Sequence, residues 1–374
     1  MPYRVFVINT GSTSTKCALF EDENCLVKES ITTDPELVRN ALKSIEQLPQ
    51  RRKDVQSFIE RNGIDLNTVD IISARGGPLA NCEGGAYYVN QKMVDVLKYQ
   101  PISQHASNLS SMLARELGLK YSKPAIIYDS VSTDEMDPIA KISGLPEVPI
   151  NTGCHVLNPR AVGRYVAEKK LGKAYKDSRL IVCHMGGGIT ICAQRDGKLV
   201  DYVTDYTGPM SPERSGALPS GTFARLCFSG KYTADEVYKL VSGRGGLFAH
   251  LGTADALEVE KRAIAGEEPY KLIYDAMCYQ ISKRIGELAP VFKGDFDAIV
   301  FTGSLAKSDY IINYVKDRVG FLAPIIVVPG EMEMEALAGG ALRVLRGEEE
   351  AKEYDILPKG ISSWEEFYAK YEGK

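Results

Sequence analysis

The sequence predicts an α/β chain built from two related domains. Short β-forming runs alternate with helical stretches along its whole length. A three-strand meander with a polar, glycine-bearing first turn opens the chain at Tyr3, and a similar meander begins at Arg179. At 374 residues the chain exceeds what one core commonly organises. A repeat at this spacing is duplication of a domain, not a solenoid. The expected division is residues 1–157 and 158–345, with 346–374 packing back on the first domain.

Taken in order, residues 3–9, 15–20 and 25–32 read as strands, with Glu21-Asp22-Glu23-Asn24 as the second turn. Asp34-Pro35 then starts a helix. Residues 55–61 are helical and end at Asn62-Gly63. Residues 69–74 form a strand that runs into Arg75-Gly76-Gly77. The spacing of Leu109, Leu113 and Leu117 predicts a helix over 105–117, closed by Gly118. A short strand over 125–128 ends at Asp129, residues 137–152 read as loop, and 158–171 as a helix capped at Gly172.

The second meander has strands at 179–184, 189–194 and 199–204. Its first turn is Met185-Gly186-Gly187-Gly188 and its second is Asp196-Gly197, a hairpin signal. Thr233 and Glu236 make a capping box. Residues 269–291 are mostly helical. Strands at 298–301 and 325–328 each pass through glycine into a helix, from about Lys307 and from Glu331 to Leu345. Ser363 and Glu366 begin a last helix, in which Trp364 is expected to dock.

Composition narrows the function. Hydrophobic content of 44% and charged content of 25% are ordinary for a globular protein. A net charge of −4 argues against nucleic acid or an anionic membrane as partner, since both need a basic face. No run reaches transmembrane length, and no signal-peptide pattern opens the chain. Eight cysteines without a CxxC pair are expected to be reduced packing residues of a cytoplasmic protein. His105, His155, His184 and His250 show no zinc-motif spacing.

The first turns carry the chemistry. Asn9-Thr10-Gly11-Ser12-Thr13-Ser14-Thr15-Lys16 offers hydroxyls, a carboxamide and an ammonium around a glycine. Such groups hold phosphate oxygens. No GxxxxGK[ST] motif, strand-to-helix GxGxxG or protein-kinase motif is present. What remains is the actin-like ATPase plan: two duplicated, ribonuclease H-like domains facing a shared nucleotide cleft with their phosphate hairpins. Many members carry Asp at the end of the first strand, where this chain has Asn9. An acid for the metal must come from elsewhere, with Asp129, Glu331, Glu333 and Glu335 as candidates.

The words VINTGSTSTK, ARGGPLANCEGGAYYVN, QHASNL, DEMDPIAKISGLPE, CHMGGGI, SPERSGALPSG, FSGKY, GGLFAHLGTADALEVE and PGEMEMEALAGGALRVL make the chain resemble the acetate/butyrate kinase family, its butyrate branch most closely. The resemblance spans nearly the whole chain. It implies reversible, magnesium-dependent phosphate transfer between ATP or ADP and a short-chain carboxylate, butyrate first, in a homo-oligomer. Acetate, propionate and isobutyrate remain alternatives, because one methylene changes specificity by only ~1–3 kcal/mol.

The resemblance also implies roles. Asn9, Ser12, Ser14 and Lys16 match the first phosphate loop, and Gly186, Gly187 and Gly188 the second. Arg75 and Arg214 match two arginines that hold the carboxylate and the moving phosphoryl group. His184 matches a phosphate-contacting histidine; His155 and His105 match further cleft histidines, and His250 matches none. Asp129 matches a strand-end aspartate assigned to positioning and the metal's water shell, and Glu335 best matches the metal-side glutamate, with Glu331 the alternative. Asp255 and Gly303 match nucleotide-side residues. The chain departs from the family at Gly303-Ser304-Leu305-Ala306, where a second glycine is usual, and at Leu257, where acetate kinases carry arginine. An actin- or chaperone-like ATPase and a sugar kinase are the competing readings. The paired arginines, suited to an anionic acceptor, argue against both.

Overall fold

The computed structural model describes every residue except 35, 38–40, 42, 81, 151–152 and 373–374. The chain forms two compact units, Met1–Asp134 with Met332–Lys374, and Glu135–Glu331. These limits differ from the 157/158 and 345/346 divisions drawn from sequence. The C-terminal return to the first unit begins a whole helix earlier, because the helix Glu333–Leu345 packs on the first unit's sheet.

The first unit holds a seven-stranded sheet. Its strands are β1 (Arg4–Thr10), β2 (Ser14–Glu21), β3 (Asn24–Thr32), β4 (Ile71–Arg75), β5 (Ala86–Tyr88), β6 (Ala125–Tyr128) and the late β12 (Lys352–Glu353), in the order β12-β5-β6-β4-β1-β2-β3. The meander is antiparallel, Asn9 pairing with Lys16 and Thr10 with Thr15, while β4 runs parallel to β1 and β6 to β4.

Side chains alternate across the sheet. Phe6, Ile8, Ile72 and Ile127 join the core formed with α1 (Leu48–Arg61) and α3 (Asn108–Tyr121), to which α2 (Gln91–Tyr99) adds Met93 and Val96. On the other face Ser73 donates to the Leu337 carbonyl of α11 (Glu333–Leu345). A Cβ at Gly340 would meet the Tyr128 ring at 2.3 Å, so only glycine lets this helix lie so close to the sheet. The last helix, α12 (Trp364–Tyr371), docks as expected. Ser363 caps it, Phe367 is buried in the core, and Trp364 Nε1 donates to Asp355.

Two local readings change. Helix α1 starts at Leu48, not 55, because Arg51 and Asp54 occupy its buried face together with Val55 and Phe58. Those charged residues hide the apolar period. Gly118 does not end α3, which runs to Tyr121, with Ser122 taking the left-handed cap. Gly118 instead admits the Lys123 carbonyl, which would stand 2.8 Å from any Cβ there. Of the expected Asp34-Pro35 helix start, Pro35 lies outside the described residues; Asp34 Oδ1 accepts from the Glu36 N–H.

The second unit holds a five-stranded sheet ordered β11-β10-β7-β8-β9. The strands are β7 (Leu180–Met185), β8 (Ile189–Arg195), β9 (Lys198–Val203), β10 (Ala298–Gly303) and β11 (Ile325–Pro329). Here too an antiparallel meander is extended by two parallel strands beside its first strand. The order β9-β8-β7-β10-β11 repeats β3-β2-β1-β4-β6 of the first unit, so the duplication extends to topology. Asp196 and Gly197 both adopt positive φ, as the tight hairpin requires.

Ile181, Cys183 and Met185 face α9 (Tyr270–Leu288), with α8 (Ala256–Ile264) and α10 (Asp309–Val319) completing that core. Helix α4 (Leu157–Tyr165) also packs on β7, and Asn158 of α4 reaches His184, which alternates with the α9-facing residues. A π-helical turn over Val166–Lys170 carries α4 on to Gly172, whose φ is +65°. Residues 137–152 are mostly irregular, with one 3-10 turn at Pro138–Lys141; 151 and 152 lie outside the described residues. Helices α5 (Ser220–Cys227) and α6 (Ala234–Val241) bury none of their residues, and α6 begins with the expected Thr233–Glu236 capping box. The short α7 (Gly246–Leu251) follows. Among the described residues, no helix is long and apolar enough to cross a membrane.

Candidate functional site

In the first unit β1 delivers Asn9 to the sheet's C-terminal end, 1% exposed. The turn behind it closes with Gly11 N–H donating to the Ser14 carbonyl at 2.8 Å. Ser12 and Thr13 are exposed at its tip, Ser14 and Lys16 half-buried on its return. Arg75 ends the parallel neighbour β4.

Between them stands Glu333, at the first position of α11. It accepts from Asn9 Nδ2 at 2.8 Å and lies 3.4 Å from Arg75 Nη1. Asn9 Oδ1 is buried without a hydrogen-bond partner. Glu335 stands elsewhere: it pairs with Lys28 Nζ at 2.8 Å. Asp129 follows β6 at φ +45°, and its Oδ1 accepts from the Gly85 N–H at 2.9 Å. Its carboxylate therefore braces the loop before β5. His105 Nδ1 accepts from the Ser107 N–H at 3.1 Å ahead of α3.

In the second unit β7 delivers His184, 5% exposed, to the matching sheet end. The Asn158 carboxamide donates to His184 Nδ1 at 2.9 Å. A neutral imidazole then carries its hydrogen on Nε2. That nitrogen lies 3.9 Å from where a Gly186 Cβ would sit, so its N–H faces the glycine turn. The turn closes as in the first unit, Gly186 N–H donating to the Gly188 carbonyl at 2.9 Å. The His155 ring packs against His184 at a 35° tilt, with centroids 4.6 Å apart, and shares a 2.9 Å hydrogen bond with Thr190 Oγ1.

Arg214 joins this group through Asp205. Its Nε donates to Asp205 Oδ2 at 3.2 Å, and Nη1 lies 3.4 Å from Glu213. Asp205 Oδ1 is buried without a partner and would stand 2.8 Å from a Gly188 Cβ. Beyond the turn lies a cavity of about 410 Å³, with Gly186, Gly187, Asp255, Glu260 and Ser308 in its wall. Asp255 caps α8, accepting from the Leu257 and Glu258 N–H groups. Gly303 has φ +91°, and a Cβ there would meet the Met185 carbonyl at 2.3 Å. Only glycine lets β10 pass so close to the turn.

Each unit thus ends its first strand in a polar side chain beside a tight turn whose N–H groups suit phosphate. The acetokinase family model matches residues 151–322. A probable butyrate kinase 2 from Caldanaerobacter subterraneus subsp. tengcongensis is 46% identical over 354 residues, covering 94% of this chain and 99% of that relative. A butyrate kinase 1 from Clostridium acetobutylicum is 41% identical over the same length and coverage. The chain belongs to the carboxylate kinase family of acetate and butyrate kinases.

A crystal structure of Porphyromonas gingivalis acetate kinase matches with TM-score 0.76 at 19% identity, covering 92% of this chain and all of that one. A Francisella tularensis propionate kinase matches at 0.70 and 18% identity, over 90% of this chain and 98% of that one. These likenesses establish the fold, two duplicated actin-like α/β domains. As a carboxylate kinase the chain is a phosphotransferase that uses ATP and ADP.

Nothing in the sequence alone singles out Asn158, Asp205 or Glu213, and Glu333 is one of four candidate acids there. Asn158 sits one residue inside α4, and nothing local marks its reach to β7. The nearest to a signal is at Asp205, which follows β9 at the end of the meander. Among the described residues, no cluster of three or more His, Cys, Asp or Glu forms a metal site.

Proposed function

We propose that this chain transfers the γ-phosphoryl group of ATP reversibly to a short-chain carboxylate, with butyrate as acceptor, in a direct in-line reaction. The observation that carries this is near full-length identity of 46% and 41% to relatives named butyrate kinases. The residues fit the chemistry. In the first unit, Arg75 orients the acceptor carboxylate, and the Asn9–Lys16 turn holds phosphate oxygens. A carboxylate is already ionised at neutral pH, so no base is required. In the second unit, Arg214 and the His184 Nε2–H offset charge that spreads over the moving phosphoryl group. Asp255 and Gly303 belong to the nucleotide side, and Asp129 and His155 position their neighbours.

The reading includes magnesium. The buried, unpartnered Asn9 Oδ1 beside the Glu333 carboxylate is an oxygen set suited to a hard cation. Magnesium keeps most of its waters and phosphate oxygens, so one protein carboxylate suffices. Glu333 would hold it, directly or through water, in preference to Glu335. When bound, the ion neutralises charge on the phosphates. The reading also includes a cytoplasmic setting, which eight free cysteines support. It includes a homo-oligomer, supported by exposed Phe228 and Tyr238 on the α5–α6 arm.

Incubation with ATP, magnesium and C2 to C6 carboxylates, with the product trapped as hydroxamate, tests the reading. Signal peaking at butyrate supports it. A peak at acetate or propionate moves the substrate, and a flat panel with ATP hydrolysed removes the carboxylate acceptor.

A further inference from the structure

Arg51 of α1 is 0% exposed, the largest fully buried side chain among the described residues. Such a charge is costly to bury unless its donors are satisfied. Its Nη2 donates to the carbonyls of Gly11 at 2.9 Å and Ser12 at 3.3 Å, and to Gln47 Oε1 at 3.0 Å. Its Nη1 donates to Thr15 Oγ1 at 3.1 Å, and Thr15 donates on to Asp54 Oδ2 at 3.3 Å. Three of the four groups that accept from Arg51 lie in the first glycine turn or on its return strand. Burial lowers the Arg51 pKa and Asp54 raises it, yet a guanidinium stays charged at any working pH.

The geometry has a direct consequence. In a trans peptide the C=O and N–H point in opposite directions. Pulling the Gly11 and Ser12 carbonyls inward to Arg51 turns the Ser12 and Thr13 N–H groups outward, on the exposed tip of the turn. The same contact sets a full positive charge directly behind those donors. A lysine in its place has one ammonium centre and cannot span two carbonyls and Thr15 in one plane.

We infer that Arg51 is a positioning residue of the first phosphate turn: it aims the Ser12 and Thr13 N–H groups at the nucleotide's phosphate and backs them with buried charge. The inference rests on the phosphate-binding reading of that turn.

The test compares the full-length chain with Arg51→Lys. Affinity for a non-hydrolysable ATP analogue with magnesium is measured by calorimetry, alongside KM for ATP, KM for carboxylate, and Tm. The expected result is a rise of about tenfold or more in the analogue Kd and in KM for ATP, with KM for carboxylate unchanged. A purely structural role would lower Tm with both KM values unchanged or moving together, and that overturns the inference. Should Arg51→Lys fail to fold, Thr15→Val removes one partner that aims the guanidinium. A rise of threefold or more in analogue Kd then supports the inference, and an unchanged Kd overturns it. Failure of the kinase reading is separate: the unsubstituted chain then makes no acyl phosphate, while analogue binding still reports on Arg51.

Discussion

Glu333 accepts a 2.8 Å hydrogen bond from Asn9 Nδ2, joining the end of the first strand to the start of a helix 324 residues later. The same carboxylate lies 3.4 Å from Arg75, so one acid joins the proposed phosphate turn to the proposed acceptor-side arginine. Glu335, two positions on, points to Lys28 instead. Glu333→Gln should therefore lower turnover by about 10–100-fold, with the loss partly recovered at high magnesium. Glu335→Gln removes only a half-exposed ion pair, worth ~0–1 kcal/mol, and should leave turnover near normal. Steady-state rates across a magnesium titration decide the matter; equal losses in both variants would remove the distinction.

Arg214 is held by Asp205 and Glu213 beside the second glycine turn. Arg214→Ala should lower kcat by roughly 10³-fold or more, in the range for an arginine serving phosphoryl transfer. ATP binding should survive. Rapid-quench turnover and nucleotide calorimetry check this, and near-normal turnover would exclude the role.

Gly303→Ala tests the close passage of β10 over the turn. A positive-φ alanine costs about 1–3 kcal/mol from the backbone alone. Contact with the Met185 carbonyl adds to that. For a unit of this size each kcal/mol corresponds to ~2–4 °C, so calorimetry should show Tm lowered by several degrees. Gly221→Ala, where a Cβ meets nothing within 4 Å, is the control.

Asp297 carries a pH-dependent share of stability. Burial alone would raise its pKa, but the Lys173 ammonium and the Arg179 N–H outweigh this and hold it below the usual carboxylate value. A depressed folded pKa stabilises above the unfolded value of about 3.9, and that contribution fades as pH falls through the folded value. Asp297→Asn should thus lower Tm near neutral pH, with the gap to the unsubstituted chain narrowing below about pH 5. Thermal melts between pH 3 and 7 measure it; a gap constant with pH would be the contrary result.

Much of the molecule was legible because its signals are local. Both meanders, both tight first turns, the Asp196-Gly197 hairpin and the Thr233 capping box follow from residues within a few positions of one another. Helix α1 was legible only from 55 because Arg51 and Asp54 stand where apolar residues would mark the period. Its buried charged face serves the Gly11 turn, a partner some 40 positions away.

The sequence by itself determined an α/β chain with two copies of one meander and turn residues able to hold phosphate, while the arginines and the histidine came from its resemblance to the kinase family. Tertiary structure decided which acid stands with Asn9. Successive helical residues turn by about 100°, so Glu333 and Glu335 point in nearly opposite directions, and only the packing of α11 on β1 and β4 selects between them. It also decided that His184 presents its Nε2–H, because that depends on Asn158 of a helix packed on β7. Such choices rest on contacts between elements remote in sequence, where no local pattern of residues carries the information.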